Sequence, residues 1–277
     1  MQTQSTLAGR AVAISVSESP DLPVLGLDPR HLQEAMAEIA RYLLANGSRL
    51  LYGGDLRPGG FTELLSELVA RRRPEEADAK PAVANFLPWP VHMSLSPDEV
   101  GKWADGLGPH VELVCLSREG GTISPARRAK LKPAAPTPAD WSRGLSSMRK
   151  VLTKLSEARV ILGGRVEGYK GKMPGLAEEA LASLEAGKPI YISGGFGGCA
   201  GDIAETMGLT KPSRSKTART VDWAGRSRFA AFGANDLNNG LSADKNGRLA
   251  RTARIEEAVA SILEGLNRLS DNRNRHG

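Results

Sequence analysis

Aromatic residues are scarce in this chain, at 5% of its positions. Because 40% of the residues are nonetheless apolar, valine, isoleucine, leucine and alanine have to build the core, as in an ordinary globular protein. No apolar run comes near the roughly 20 residues that a membrane-spanning helix requires. The first ten residues, MQTQSTLAGR, contain no apolar signal-peptide core. We therefore expect a soluble, cytoplasmic protein without a membrane partner.

Cysteine is also rare, with Cys115 and Cys199 the only two. Two cysteines make no disulfide framework, and neither belongs to a CxxC or Cys/His cluster that would indicate zinc. The histidines His31, His92 and His110 are scattered and unpaired in sequence, so they indicate core or surface roles rather than catalysis. We therefore expect no metal site and no resident cofactor.

The net charge of +6 is unevenly placed. Residues 127–132 (RRAKLK) and 211–228 (KPSRSKTARTVDWAGRSR) are basic and rich in small polar residues. Basic surfaces attract the phosphates of nucleotides and nucleic acids alike. Aromatic residues do not alternate with these charges as base-stacking platforms would require. We expect solvated loops here and no nucleic-acid partner, with DNA binding as an alternative.

Apolar periodicity predicts an alternation of strands and helices along most of the chain. The predicted strands cover residues 11–17, 49–52, 82–87, 111–115, 158–162 and 188–193. The predicted helices cover residues 29–46, 61–71, 140–157 and 174–186, a short segment ending at 207, and 255–269. The polar, proline-rich residues 117–138 are expected to form a long loop.

Continuously apolar strands that alternate with helices are typical of a parallel sheet covered on both faces. The sequence therefore predicts an α/β, Rossmann-like, doubly wound fold with a mostly parallel sheet and helices on both faces. No internal repeat is visible. We expect one domain over residues 8–208, with the basic segment and terminal helix of residues 209–277 packed on it.

Three predicted strands end in paired glycines, Gly53-Gly54, Gly163-Gly164 and Gly194-Gly195. Ligands of open parallel sheets bind beyond the carboxyl ends of the strands, where glycine lets them approach the backbone. The helix that follows offers free N–H groups to a phosphate. We predict one nucleotide site on the loops around residues 53–62, 163–179 and 194–198. Further binding candidates in these loops are Thr62, Arg165, Gly171, Gly175, Glu179, Gly197 and Gly198.

Several polar residues of these loops have two interpretations each. Arg165 directly follows a glycine pair, and its planar guanidinium could clasp a phosphate in two places. Lys170 and Lys172 could do the same or be solvated loop charges. Thr62 could cap the second helix or bond a phosphate. Asp55 and Arg57 flank the first loop and could meet a ribose or a phosphate.

Glu178 and Glu179 fall in the first turns of the helix predicted from residue 174. Acidic residues at a helix N-terminus are favoured by the helix dipole and need no further role. Glu178 is equally placed to accept a hydrogen bond from a sugar hydroxyl or to activate a water beside the glycine loop. The spacing alone does not separate these two interpretations.

Two stretches resemble the SLOG superfamily: residues 147–208, which include ILGGRVEGYKGKMPGLAEEA and KPIYISGGFGG, and residues 50–65, LLYGGDLRPGGFTELL. This superfamily joins the DNA-processing Smf proteins, the Lonely Guy phosphoribohydrolases and the nucleotide-sensing domains of bacterial conflict systems and melastatin channels. The motifs are most similar to the sensor-like branch. The resemblance implies a Rossmann-like fold, a nucleotide-type ligand and pairing into homo-oligomers. Residues 209–277 show no such resemblance.

The hydrolase branch of this superfamily carries the signature PGG-x-GT-x-x-E and a nearby arginine. The resemblance places its glutamate on Glu178 and its arginine on Arg149, as the catalytic candidates. This chain departs from the signature, because the compact loop is replaced by a longer one and Gly175 stands where threonine is usual. The resemblance therefore implies a sensor of an ADP-ribose or NAD-derived molecule, acting alone or on a separate effector protein, with an N-glycoside hydrolase as the alternative.

Overall fold

The computed structural model of the chain describes residues 7–54, 56, 57, 59–70, 81–212 and 222–276. Its strands are β1 (Ala11–Ser17), β2 (Arg49–Gly53), β3 (Val83–Leu87), β4 (Val111–Leu116), β5 (Thr122–Ile123), β6 (Ala158–Gly163) and β7 (Ile190–Ser193). Its helices are α1 (Pro29–Ala45), α2 (Phe61–Ala70), α3 (Trp89–Met93), α4 (Pro97–Leu107), α5 (Pro125–Arg128), α6 (Pro138–Leu155), α7 (Gly175–Glu185), α8 (Gly198–Thr206), α9 (Ala243–Leu249) and α10 (Ile255–His276).

The strands form one sheet in the order β5-β4-β3-β2-β1-β6-β7. All neighbouring strands run parallel except β5, which pairs antiparallel with β4. In the centre, Val12 of β1 lies opposite Leu50 of β2 and Ala158 of β6. The chain moves outward from β1 in both directions, so the predicted doubly wound, Rossmann-like fold is confirmed.

The side chains of β1 alternate between two apolar layers. Val12, Ile14 and Val16 pack in the layer that contains α1, α2 and α10. Ala13 points to the opposite face, where it meets Met148 of α6. Side chains of consecutive strand residues point to opposite faces of a sheet, so both faces of this sheet are covered by helices.

The prediction of one long loop over residues 117–138 is wrong, because β5 and α5 lie within it. The buried side chain of Arg128 ties this region to the body of the protein. Its Nη2 donates to the carbonyl oxygens of His92 and Leu95, at 2.5 and 2.7 Å, and its Nε donates to His92 Nδ1 at 3.0 Å. His92 Nε2 in turn lies 2.8 Å from the Leu116 carbonyl, so the ring is neutral and carries its proton on Nε2.

The terminal helix α10 packs against α1 and extends to His276. Its residues Val259, Ile262 and Leu266 are buried in the same layer as β1, as their spacing predicts. Half of the basic segment 211–228, namely residues 213–221, lies outside the described residues, as does Asp55.

Within the ranges that the structure describes, no helix combines the length and the apolar character needed to cross a membrane. The same ranges contain no group of three or more histidine, cysteine, aspartate or glutamate side chains that could hold a metal ion. Burial raises the pKa of the Cys115 thiol to about 11, which leaves it protonated at neutral pH.

Candidate functional site

A cavity of about 380 Å³ opens beyond the carboxyl ends of β1, β2 and β6. Its walls are the loops after β2 and β6 and the facing parts of α3, α6 and α7. The volume falls in the range of pockets that hold small ligands. We call it the strand-end cavity. The small residues that line it are Ser15, Ser17, Gly53, Gly54, Gly168 and Gly175.

The larger side chains give the strand-end cavity two chemical characters. Apolar and aromatic side chains line it at Val16, Tyr52, Pro88, Val91, Trp141, Leu145, Met148, Tyr169 and Leu176. Charged side chains line it at Arg57, Arg149, Arg165, Lys170 and Glu179. Four of these five charges are positive, so the cavity suits a ligand that combines an apolar ring with an anionic group.

Arg149 projects from α6 onto the first turn of α7, where it is buried. Its Nη1 donates to Glu178 Oε2, while Ser146 Oγ donates to the other carboxylate oxygen. A Cβ on Gly175 would lie 2.5 Å from Arg149 Nη2, and one on Gly171 would lie 3.2 Å from Nη1. These two glycines therefore make room for the guanidinium, and Gly175 also lines the cavity itself.

Glu178 and Glu179 have different surroundings. Glu178 is held by Arg149 and Ser146, whereas Glu179 lines the cavity and is buried. Glu179 Oε2 accepts a hydrogen bond of 3.0 Å from Arg159 Nη1. Of the two neighbouring carboxylates, Glu179 is thus the one that faces the cavity.

Arg159 lies on β6 beneath the cavity and is 1% exposed. Burial lowers its pKa, and the carboxylate of Glu179 opposes that effect. Its guanidinium donates to four side-chain oxygens: Ser15 Oγ at 2.7 Å, Ser183 Oγ at 2.9 Å, Glu179 Oε2 at 3.0 Å and Thr153 Oγ1 at 3.3 Å. The network fixes the positions of Ser15 and Glu179, two polar groups of the cavity wall.

The mouth of the cavity is charged. Arg165, after β6, donates from Nε and Nη2 to Glu18 Oε2, and Arg57, after β2, lies 3.7 Å from Glu18 Oε1. Lys170 also lines the cavity, and its Nζ lies 3.5 Å from the centroid of the Trp141 ring. The face of Trp141 is therefore covered by a cation in this structure.

The glycine pairs after β2 and β6 have packing roles of their own. A Cβ on Gly53 would lie 2.7 Å from Leu152 Cδ1, and one on Gly54 would lie 2.3 Å from the Tyr52 ring. Gly163 and Gly164 have φ values of 64° and 104°, which side chains rarely adopt. Gly53 and Gly54 line the cavity, while Gly163 and Gly164 are buried behind it against β1 and α8.

Thr62 is buried at the start of α2 and does not line the cavity. Its Oγ1 accepts a hydrogen bond of 3.3 Å from Asn85 Nδ2. A Cβ on Gly54 would lie 2.8 Å from the same oxygen. Thr62 thus lies behind the loop that follows β2.

The third glycine turn, residues 194–198, does not reach the strand-end cavity. Gly194, Gly195 and Gly197 line a separate cavity of about 510 Å³. The buried carboxylate of Asp21 lies at the start of α8 and accepts a 2.7 Å hydrogen bond from the backbone N–H of Gly198. The chain's own carboxylate thus occupies the helix start at which the sequence predicts a ligand phosphate.

The chain matches a known protein family over nearly its whole length. The family model described as SLOG cluster2 matches residues 6–276. The chain belongs to this family. The resemblance inferred from the glycine-rich motifs is confirmed, and the SLOG match also includes residues 209–276, which those motifs do not reach.

No protein with a curated description matches the SLOG chain. Among solved structures, TM1055, an X-ray structure from the Northeast Structural Genomics Consortium, is 19% identical over 71% of this chain and 81% of its own, with a TM-score of 0.40.

The SLOG cavity also contains residues that sequence reasoning missed. Trp141 precedes Leu145 and Met148 by four and seven positions, so all three share one face of α6. That spacing was available as a signal for Trp141. Tyr52 and Tyr169 lie directly beside Gly53 and Gly168 of the cavity lining, so their closeness to the glycine-rich loops was the available signal for them.

Proposed function

We propose that this SLOG protein binds a nucleotide or NAD-derived molecule of the ADP-ribose type in the strand-end cavity and acts as a sensor. The observation that carries the proposal is the mixed lining of the cavity, which combines aromatic side chains with basic side chains. A nucleotide has the same two parts, a flat apolar base and an anionic phosphate.

The base is proposed to lie against Trp141, with Tyr52 and Tyr169 nearby. Aromatic side chains stack on bases without depending on base identity. The ammonium group of Lys170 covers the ring of Trp141, so the base would take its place. The proposed movement is a displacement of one side chain rather than of a helix.

The ribose is proposed to meet Glu179 and Ser15. Glu179 lines the cavity and is held in one position by the buried guanidinium of Arg159. An ionised carboxylate only accepts hydrogen bonds, and a ribose hydroxyl can donate one. The phosphate end would then lie toward the cavity mouth, near Arg57 and Arg165.

Isothermal titration with ADP-ribose, cyclic ADP-ribose isomers, NAD and AMP tests this proposal. We expect at least one of them to bind, and Trp141→Ala to weaken that binding by about tenfold or more, since base stacking contributes roughly 1–3 kcal/mol. Trp103→Ala is the matched control, because Trp103 lies on α4 outside the cavity lining. Absence of binding to every one of these compounds would refute the proposal.

An N-glycoside hydrolase is the second candidate, and the pairing of Arg149 with Glu178 beside the cavity favours it. A carboxylate could stabilise the positive charge that develops on the ribose as the base departs. Glu179, which lines the cavity, competes with Glu178 for this role.

The hydrolase proposal is tested by incubating the protein with nucleoside monophosphates and NAD and then measuring the free base by chromatography. Glu178→Gln and Glu179→Gln, made separately, would show which carboxylate acts. We expect the responsible variant to lose about 100-fold or more of the rate, as for removal of a group that stabilises transition-state charge. If no free base forms, the protein is not a hydrolase of these compounds.

A further inference from the structure

Glu18 is the first residue after β1, and its carboxylate lies between two arginines. One oxygen accepts from both Nε and Nη2 of Arg165. The other lies 3.7 Å from Nη1 of Arg57. Both arginines line the strand-end cavity.

The sheet topology explains why these three side chains meet. β1 lies between β2 and β6, and the carboxyl ends of parallel strands share one edge of the sheet. Arg57 follows β2, Arg165 follows β6, and Glu18 follows β1 between them. The backbone N–H of Arg165 also donates to Ser17 Oγ at 3.1 Å, which fixes the start of its loop beside β1.

The arrangement resembles an anion subsite that already holds an anion. A guanidinium offers two parallel N–H groups, which match the oxygens of a carboxylate and of a phosphate equally well. We propose that Glu18 is an internal counter-anion, and that a phosphate group of the ligand replaces it between Arg57 and Arg165. This inference rests on the proposed function for the identity of the ligand but not for the position of the subsite.

The exposure of the three side chains makes such an exchange feasible. Arg165, Arg57 and Glu18 are 50%, 58% and 54% exposed. Ion pairs this open to water contribute little stability, so the carboxylate can turn into solvent at small cost.

The exchange weakens the binding of every phosphate ligand by the same factor. An isolated anion such as inorganic phosphate gains only the contacts that Glu18 loses, so it binds weakly. A phosphate joined to a base gains contacts with the aromatic lining of the cavity as well. The ligand with a base therefore still binds at concentrations at which a simple anion does not.

Glu18→Gln tests this inference, because it removes the charge and keeps the size of the side chain. Titrations with inorganic pyrophosphate and with ADP-ribose are compared in the wild type and the variant. We expect both ligands to bind about three- to tenfold more tightly to the variant, the scale of one or two exposed ion pairs. The matched control is Glu38→Gln, since Glu38 pairs with Arg41 on the surface of α1, away from the cavity; it should leave both affinities unchanged.

A double variant tests whether the tighter binding expected for Glu18→Gln depends on Arg165. Glu18→Gln combined with Arg165→Gln should lose the gain, because the arginine that receives the phosphate is gone. If Glu18→Gln binds pyrophosphate no better than the wild type, or if no protein binds it, the inference is overturned. If pyrophosphate binds more tightly while no nucleotide binds at all, the counter-anion stands and the proposed function fails.

Discussion

Replacing Arg159 by methionine removes the guanidinium from beneath the strand-end cavity. Methionine fills part of the space but donates no hydrogen bond, so the buried carboxylate of Glu179 loses its cation, and Ser15, Ser183 and Thr153 lose a donor. Removing one partner of a buried ion pair typically costs about 3–5 kcal/mol, because the other charge stays behind unpaired. We expect a loss of that size in the free energy of unfolding.

Urea denaturation of four proteins measures this effect: the wild type, Arg159→Met, Glu179→Gln and the double variant. The double variant should lose less than the sum of the two single variants, because it leaves no unpaired charge. Arg41→Met is the matched control, since Arg41 pairs with Glu38 on an exposed face of α1, and it should leave the denaturation midpoint unchanged.

The result that would refute this reasoning is a loss below about 1 kcal/mol for Arg159→Met, the size of an exposed pair. Strict additivity in the double variant would also contradict it, because coupled residues are expected to interact energetically. Either outcome would mean that Glu179 is held in place by something other than Arg159.

Three further predictions concern stability. Burial lowers the pKa of His92, so below about pH 6.5 its ring becomes protonated in the unfolded chain while it stays neutral in the folded protein. The free energy of unfolding should therefore fall by up to about 1.4 kcal/mol per pH unit as the pH decreases toward the folded-state pKa. In His92→Gln, urea denaturation should not show this contribution of the histidine. Equal slopes of the free energy of unfolding against pH in the two proteins would contradict the prediction. Gly175→Ala should cost about 1–3 kcal/mol because its Cβ would meet Arg149, whereas Gly101→Ala, with open space around its Cβ, should gain about 0.5–1 kcal/mol in the same assay. Asp21→Ala should cost about 1–2 kcal/mol in thermal or urea unfolding, because it leaves the start of α8 uncapped, and an unchanged midpoint would rule that role out.

The distribution of apolar residues made the fold predictable. Strand β1 is a short continuous apolar run, and helix α10 has buried residues that recur at helical spacing. The two-residue strand β5 is too short for any period, and its pairing with β4 exists only in the folded chain. The burial of Arg128 was equally unpredictable, because a basic run such as RRAKLK indicates a solvated loop.

The candidate site was partly predictable. Gly53, Gly54 and Arg165 follow parallel strands, and they line one cavity as that position suggests. The third glycine turn was grouped with them by the same rule, but the rule cannot tell that Asp21 lies against it. Asp21 is far from Gly198 in sequence and becomes its neighbour only through the tertiary fold. Roles in ligand binding stay predictions for all of these residues.

In the part of the chain that the structure describes, β7 is the last strand of the sheet and has a neighbouring strand on one side, β6. Asn239 Nδ2 donates to the carbonyl of Ile190 at 2.8 Å, and the hydroxyl of Tyr191 donates to the carbonyl of Asn239 at 2.9 Å. Open strand edges recruit strands from other molecules and cause aggregation. The segment around Asn239 therefore shields this edge, and cutting it away would leave a surface prone to self-association.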